Sequence, residues 1–93
     1  MQDKILEVIN VIDFRVDDIK GMRRPHILRM QALFYNMKKY CPSLTLKEVA
    51  IYGNRQNHSI VLSSIAMWEE RIFTVPDIKR IQQLIENGIK GRS

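Results

Sequence analysis

Between Tyr52 and Leu62 the chain reads YGNRQNHSIVL, and polar chemistry is concentrated there. Asn54, Arg55, Gln56, Asn57, His58 and Ser59 follow one another before apolar residues resume at Ile60. Asparagine can pair with an adenine edge, serine with either base type, and an alkyl surface can meet a thymine methyl. The same residue types are also ordinary at the start of a helix, where Asn57 would be a cap and Ser59 a first-turn residue. A second cluster, Lys20-Gly21-Met22-Arg23-Arg24-Pro25-His26, sets paired arginines between glycine and proline. A basic loop of that kind suits the negative potential of a minor groove, and otherwise it is a solvated turn.

Enzymatic chemistry finds little to assemble. Asp17-Asp18 and Glu69-Glu70 are adjacent pairs, which splay apart on a helix instead of converging. His26 and His58 have no third ligand at a metal-binding spacing, so no metal site and no cofactor are expected. Cys41, beside Tyr40 and Pro42, reads as a packed or partly exposed thiol and not a nucleophile, and Gly53 belongs to no phosphate-cradling loop. Trp68 and the five methionines read as core filler. The expectation is a protein that binds and is not an enzyme.

The elements that must hold these residues are helical, because helical periodicity runs through most of the chain and no alternating strand pattern competes. Ile5, Val8, Ile9 and Ile12 predict a first helix with Asp3 available as its cap, and RVDDIKG predicts a short helical turn closed by Gly21. Pro25 predicts a loop or the first turn of the next helix. That helix ends before Pro42, with Ile27, Met30, Leu33 or Phe34, and Met37 as its buried stripe. Thr45-Leu46-Lys47-Glu48 is a capping-box pattern opening a short helix, which is predicted to stop at Gly53 as a left-handed residue. Asn57 or Asn54 caps the following helix, whose Val61, Ile65, Trp68 and Ile72 face inward. Thr74-Val75-Pro76-Asp77 starts a last helix with Ile78, Ile81, Leu84 and Ile85 inward, ending near Gly88. A short capped helix, a turn and a longer helix, about 45–72, outline a helix-turn-helix. Its second helix would aim Asn57, His58, Ser59 and Ser63 at base edges.

Ninety-three residues make one small domain, and 45% hydrophobic against 27% charged residues is an ordinary globular balance. No apolar run reaches the length of a membrane span, and the acidic start MQDKILEV does not read as a signal peptide. A single cysteine points to a reducing, cytoplasmic setting. The formal net charge is +5, and from Ile19 to Lys47 there are seven basic residues (Lys20, Arg23, Arg24, Arg29, Lys38, Lys39, Lys47) and no acidic one. A clustered basic field suits a polyanion, most often nucleic acid, although it also serves as a solvated face.

From about Lys4 to Glu86 the sequence resembles the C-terminal DNA-binding domain (domain IV) of the bacterial chromosomal replication initiator DnaA. The resemblance runs through ILEVINVIDFRVDDIKGMRRPHILRMQALFYNMKKY, LTLKEVAIYGNRQNHSIVLSSI and TVPDIKRIQQLIE. Its most specific piece, NHSIVL after a Gly-x-Arg, is similar to that family's Gly-x-Arg-Asp-His-(Ser/Thr)-Thr-Val-Leu signature. The resemblance implies an all-α domain of five or six helices, of the Trp repressor-like helix-turn-helix type, with a core over about 4–88. It implies a monomer that binds double-stranded DNA at replication origins. Asn57, His58 and Ser59 would read the major groove, and Arg23 or Arg24 would enter the minor groove. Lys20, Arg29, Gln31, Thr45, Leu46, Lys47, Arg55 and Gln56 would meet the DNA backbone, Thr45 and Leu46 through amides at a helix start.

The chain departs from the pattern at several positions. Asn57 stands where the family has an acid, which exchanges an acceptor-only carboxylate for a group that also donates. Ile60 replaces the second threonine, Met30 replaces an arginine, one residue is added within 54–56, and two are missing from the basic loop. The family's ATP-binding domain has no counterpart in these residues, so the resemblance implies DNA binding alone. The alternative is a diverged, phage-like stand-alone protein-interaction module or transcription regulator that no longer reads a DnaA box and docks to replication or transcription proteins. Met1 and the length suit a free-standing protein and an excised domain alike.

Overall fold

The computed structural model describes residues 1–16 and 24–91, and all of its regular structure there is helical. Five helices follow in order: α1 Gln2–Asn10, α2 Pro25–Tyr40, α3 Leu46–Tyr52, α4 His58–Thr74 and α5 Pro76–Ile89. The predicted turn at RVDDIKG falls mostly on residues 17–21, outside the described part. Asp13 to Val16 before it are not helical, and they bury Phe14 and Val16.

Local chemistry explains most boundaries. Pro25 and Pro76 each occupy the first turn of their helix, where a missing N–H costs no hydrogen bond. At α3 both halves of the capping box are formed: Glu48 N–H donates to Thr45 Oγ1 at 3.1 Å and Thr45 N–H to Glu48 Oε1 at 2.9 Å. At α4 Asn57, and not Asn54, is the cap. Asn54 instead takes the positive φ of 57° in the preceding turn. Asp3 lies inside the first turn of α1, whose N-cap position is Met1, with no side-chain cap.

The α3 terminus corrects a prediction. Gly53 has φ −94°, so handedness is not what it supplies. A Cβ there would lie 2.5 Å from Cε1 of Phe34, so the position is a close approach to a buried ring. Gly88 plays the same part between α5 and α1, where a Cβ would lie 2.7 Å from Val8 Cγ1. Helix α5 ends at Ile89, next to Gly88 as the sequence predicts.

Helix α2 packs against α1, α3 and α4, so more of it is buried than a single stripe. Leu28, Ala32, Leu33, Phe34 and Met37 are buried, with Gln31 and Asn36 among them, whereas Ile27 and Met30 are only half-buried. In α4 Val61 and Trp68 are fully buried, Ser64 joins them, and Ile65 and Ile72 lie at the margin. In α5 Ile78, Ile81, Ile85 and Ile89 face inward, but Leu84 is 48% exposed and Gln82 takes the inward place instead.

Gln82 is inside because it completes a polar knot. Its Nε2 donates to Asn36 Oδ1 at 2.9 Å, and Asn36 Nδ2 donates back to Gln82 Oε1 at 3.1 Å. Trp68 Nε1–H donates to the same Oε1 at 2.9 Å, and Asn36 also reaches Ala32 O. Three helices, α2, α4 and α5, are thereby joined by satisfied polar groups, the condition under which burying amides is tolerable.

Candidate nucleic-acid interface

Capping chemistry builds the start of α4. Asn57 Oδ1 accepts from both Ser59 N–H at 3.0 Å and Ser59 Oγ–H at 2.7 Å, so the first turn is held through its own exposed side chains. His58 is exposed beside them, and Ile60 tucks against the core, which orients the turn. Four positions on, Ser63 Oγ–H donates to Ile60 O at 3.2 Å. Asn57, His58, Ser59 and Ser63 all lie on exposed surface while Val61 and Trp68 anchor the opposite face. The outward side of α4 continues through Leu62 and Ala66 and then turns acidic at Glu69 and Glu70. Those carboxylates repel phosphates, so an anionic ligand is confined to the N-terminal half of the helix.

The basic residues divide into two groups. Arg29 stacks its guanidinium over Phe14 at 5.5 Å from the ring centroid, and its Nε is buried without a hydrogen-bond partner among the described residues. Lys38 donates to Leu44 O at 2.8 Å, closing the α2–α3 connection. Lys39 pairs with Glu86 at 3.3 Å and lies over the rings of Tyr35 and Tyr40. Burial opposes the charge of Lys39, but Glu86 outweighs it and raises the ammonium pKa. These three cations serve the fold. Arg24, Lys47 and Arg55 are exposed and have no ion-pair or side-chain hydrogen-bond partner among the described residues, and Gln56 is exposed next to Arg55. Lys20 and Arg23 lie outside the described residues.

Two sites expected at the DNA backbone have other work. Gln31 is 3% exposed; its Oε1 accepts from Arg71 at 2.8 Å and its Nε2 faces Met67 Sδ at 3.8 Å. It ties α2 beneath α4, and burial pushes the Arg71 guanidinium pKa down. At α3 the Thr45 amide already donates to Glu48, whose carboxyl is held below its ordinary value of 4.5 by the Thr45 hydrogen bonds. The capping box uses the donors of Thr45 and Glu48, which leaves Leu46 and Lys47 as the open amides of that turn. Composition hides Gln31, because a glutamine in a basic stretch reads as surface. Leu62 went unnoticed for the opposite reason: leucine in an apolar helix reads as core, yet it is 54% exposed.

Among the described residues no group of three His, Cys, Asp or Glu side chains could hold a metal ion. No helix there is long and apolar enough to cross a membrane. No protein-family model, curated protein or solved structure matches this chain.

Proposed function

We propose that this chain is a sequence-specific double-stranded DNA-binding domain, a helix-turn-helix formed by α3, the Gly53–Asn57 connection and α4. The start of α4 enters the major groove, and the basic segment before α2 reaches the neighbouring minor groove. The observation that carries the reading is the exposed Asn57-His58-Ser59 turn on a helix whose opposite face is anchored by Val61 and Trp68. Phosphate contacts supply most of the affinity and the α4 side chains the selectivity. The resemblance to the initiator's DNA-binding domain gives the reading its biological setting, replication initiation or its regulation, at the nucleoid.

Among the described residues, Arg24, Lys47 and Arg55 are exposed and available for phosphate, and the reading adds Lys20 and Arg23 from the sequence of the preceding segment. Neutralising about five phosphates makes the binding constant fall with salt at a log–log slope of roughly −4 to −5. Fluorescence anisotropy with a labelled duplex between low and physiological salt measures it. A flat salt response, or no binding to duplex at low salt, refutes the proposal.

A second reading, docking to another replication or transcription protein, is favoured by one feature. Phe73 is 84% exposed on the C-terminal, acidic half of α4, where no polyanion would be accepted. The two readings use different ends of the same helix.

A further inference from the structure

The hydrogen bonds around α4 fix which polar atoms its outward face still offers. Ser59 spends its hydroxyl proton on Asn57 Oδ1, and Ser63 spends its own on Ile60 O. Each serine therefore presents only oxygen lone pairs outward. Asn57 Oδ1 accepts twice from Ser59, so Asn57 offers chiefly its Nδ2 donor. A two-way amide contact to adenine is thus closed to it. Leu62 lies beside Ser59 at a spacing of three on the helix. It leaves more than half its surface exposed, although it sits on a helix that buries Val61 and Trp68 completely. No packing within the described chain accounts for a leucine there.

Acceptors beside an exposed alkyl group, with a donor at the leading edge, complement one kind of base pair. An A·T pair shows the adenine N6 amino donor, the N7 and O4 acceptors and the thymine 5-methyl in the major groove. A G·C pair also shows the serine lone pairs a donor, the cytosine N4 amino group, but it has no methyl for an alkyl group to meet. We infer that Leu62 is a specificity-determining residue, selecting A·T pairs by packing on the thymine methyl while Ser59 or Ser63 accepts from adenine N6. The inference rests on the DNA-binding reading and adds to it a class of base pair.

The test starts from the full chain and a random duplex pool, followed by binding of the enriched duplex with each thymine replaced in turn by deoxyuridine. Loss of one methyl from an apolar contact weakens wild-type binding about fourfold at one or two positions. The same replacement leaves L62A unaffected, while L62A keeps the salt-dependent binding to unrelated duplex that reports an intact fold. Enrichment of a G·C core, no deoxyuridine effect, or an equal effect on L62A overturns the inference and leaves DNA binding standing. Failure to enrich or bind any duplex overturns both.

Discussion

At the scale of single residues, neighbours decide what a side chain can do. Asn57 is in sequence a reader or a cap, and in the structure it is a cap whose oxygen is taken by Ser59. His58, exposed between them with no hydrogen-bond partner among the described residues, keeps its ring nitrogens for a ligand. His58→Ala is expected to cost about 1–3 kcal/mol on a preferred duplex and almost nothing on unrelated sequence. Paired titrations on the two duplexes measure this, and an equal loss on both would show that His58 does not read bases. Gln31 and Arg29 teach the reverse lesson, since both belong to the expected contact set and both are engaged within the protein. Residue type announced their polarity but could not disclose the Arg71 or Phe14 partner, which arrives from 40 and 15 positions away.

At the scale of elements, legibility follows the range of the interaction. The starts of α2, α3 and α5 are readable because Pro25, Pro76 and the Thr45–Glu48 box act within one turn. Gly53 ends α3 where the sequence puts the stop, but the reason for a glycine there lies in another helix: the Phe34 ring fills the space a side chain would need. Leu84 and Gln82 exchanged places for a similar cause, since Asn36 and Trp68 reward an amide at the inward position. Gly53→Ala should destabilise the domain by about 1–3 kcal/mol, as overpacking does in a filled core. Urea denaturation measures it, and adding Phe34→Leu should return part of the loss by giving the methyl room. A fully additive double variant would show that the ring is not the obstacle.

At the scale of the whole molecule, the Asn36–Gln82–Trp68 knot joins three of the five helices through groups that have no water to fall back on. Gln82→Leu strands Trp68 Nε1 and Asn36 Oδ1, while Asn36 Nδ2 keeps Ala32 O, so its cost is about 1–3 kcal/mol for each group left unpaired. Chemical denaturation reads that loss. A change within about 0.5 kcal/mol, the range of ordinary surface substitutions, would mean that water or a shifted side chain replaces Gln82. The arrangement of charge has a consequence in time instead of energy. Arg55 lies three positions before the start of α4, and Glu69 and Glu70 lie on its outer side about 16 Å further along the axis. In the field of a long polyanion such a body feels a torque as well as a pull, so it is turned leading end first before any contact forms. Reversing Glu69 and Glu70 to lysine would raise the net attraction yet remove that alignment, making collisions more frequent and fewer of them productive.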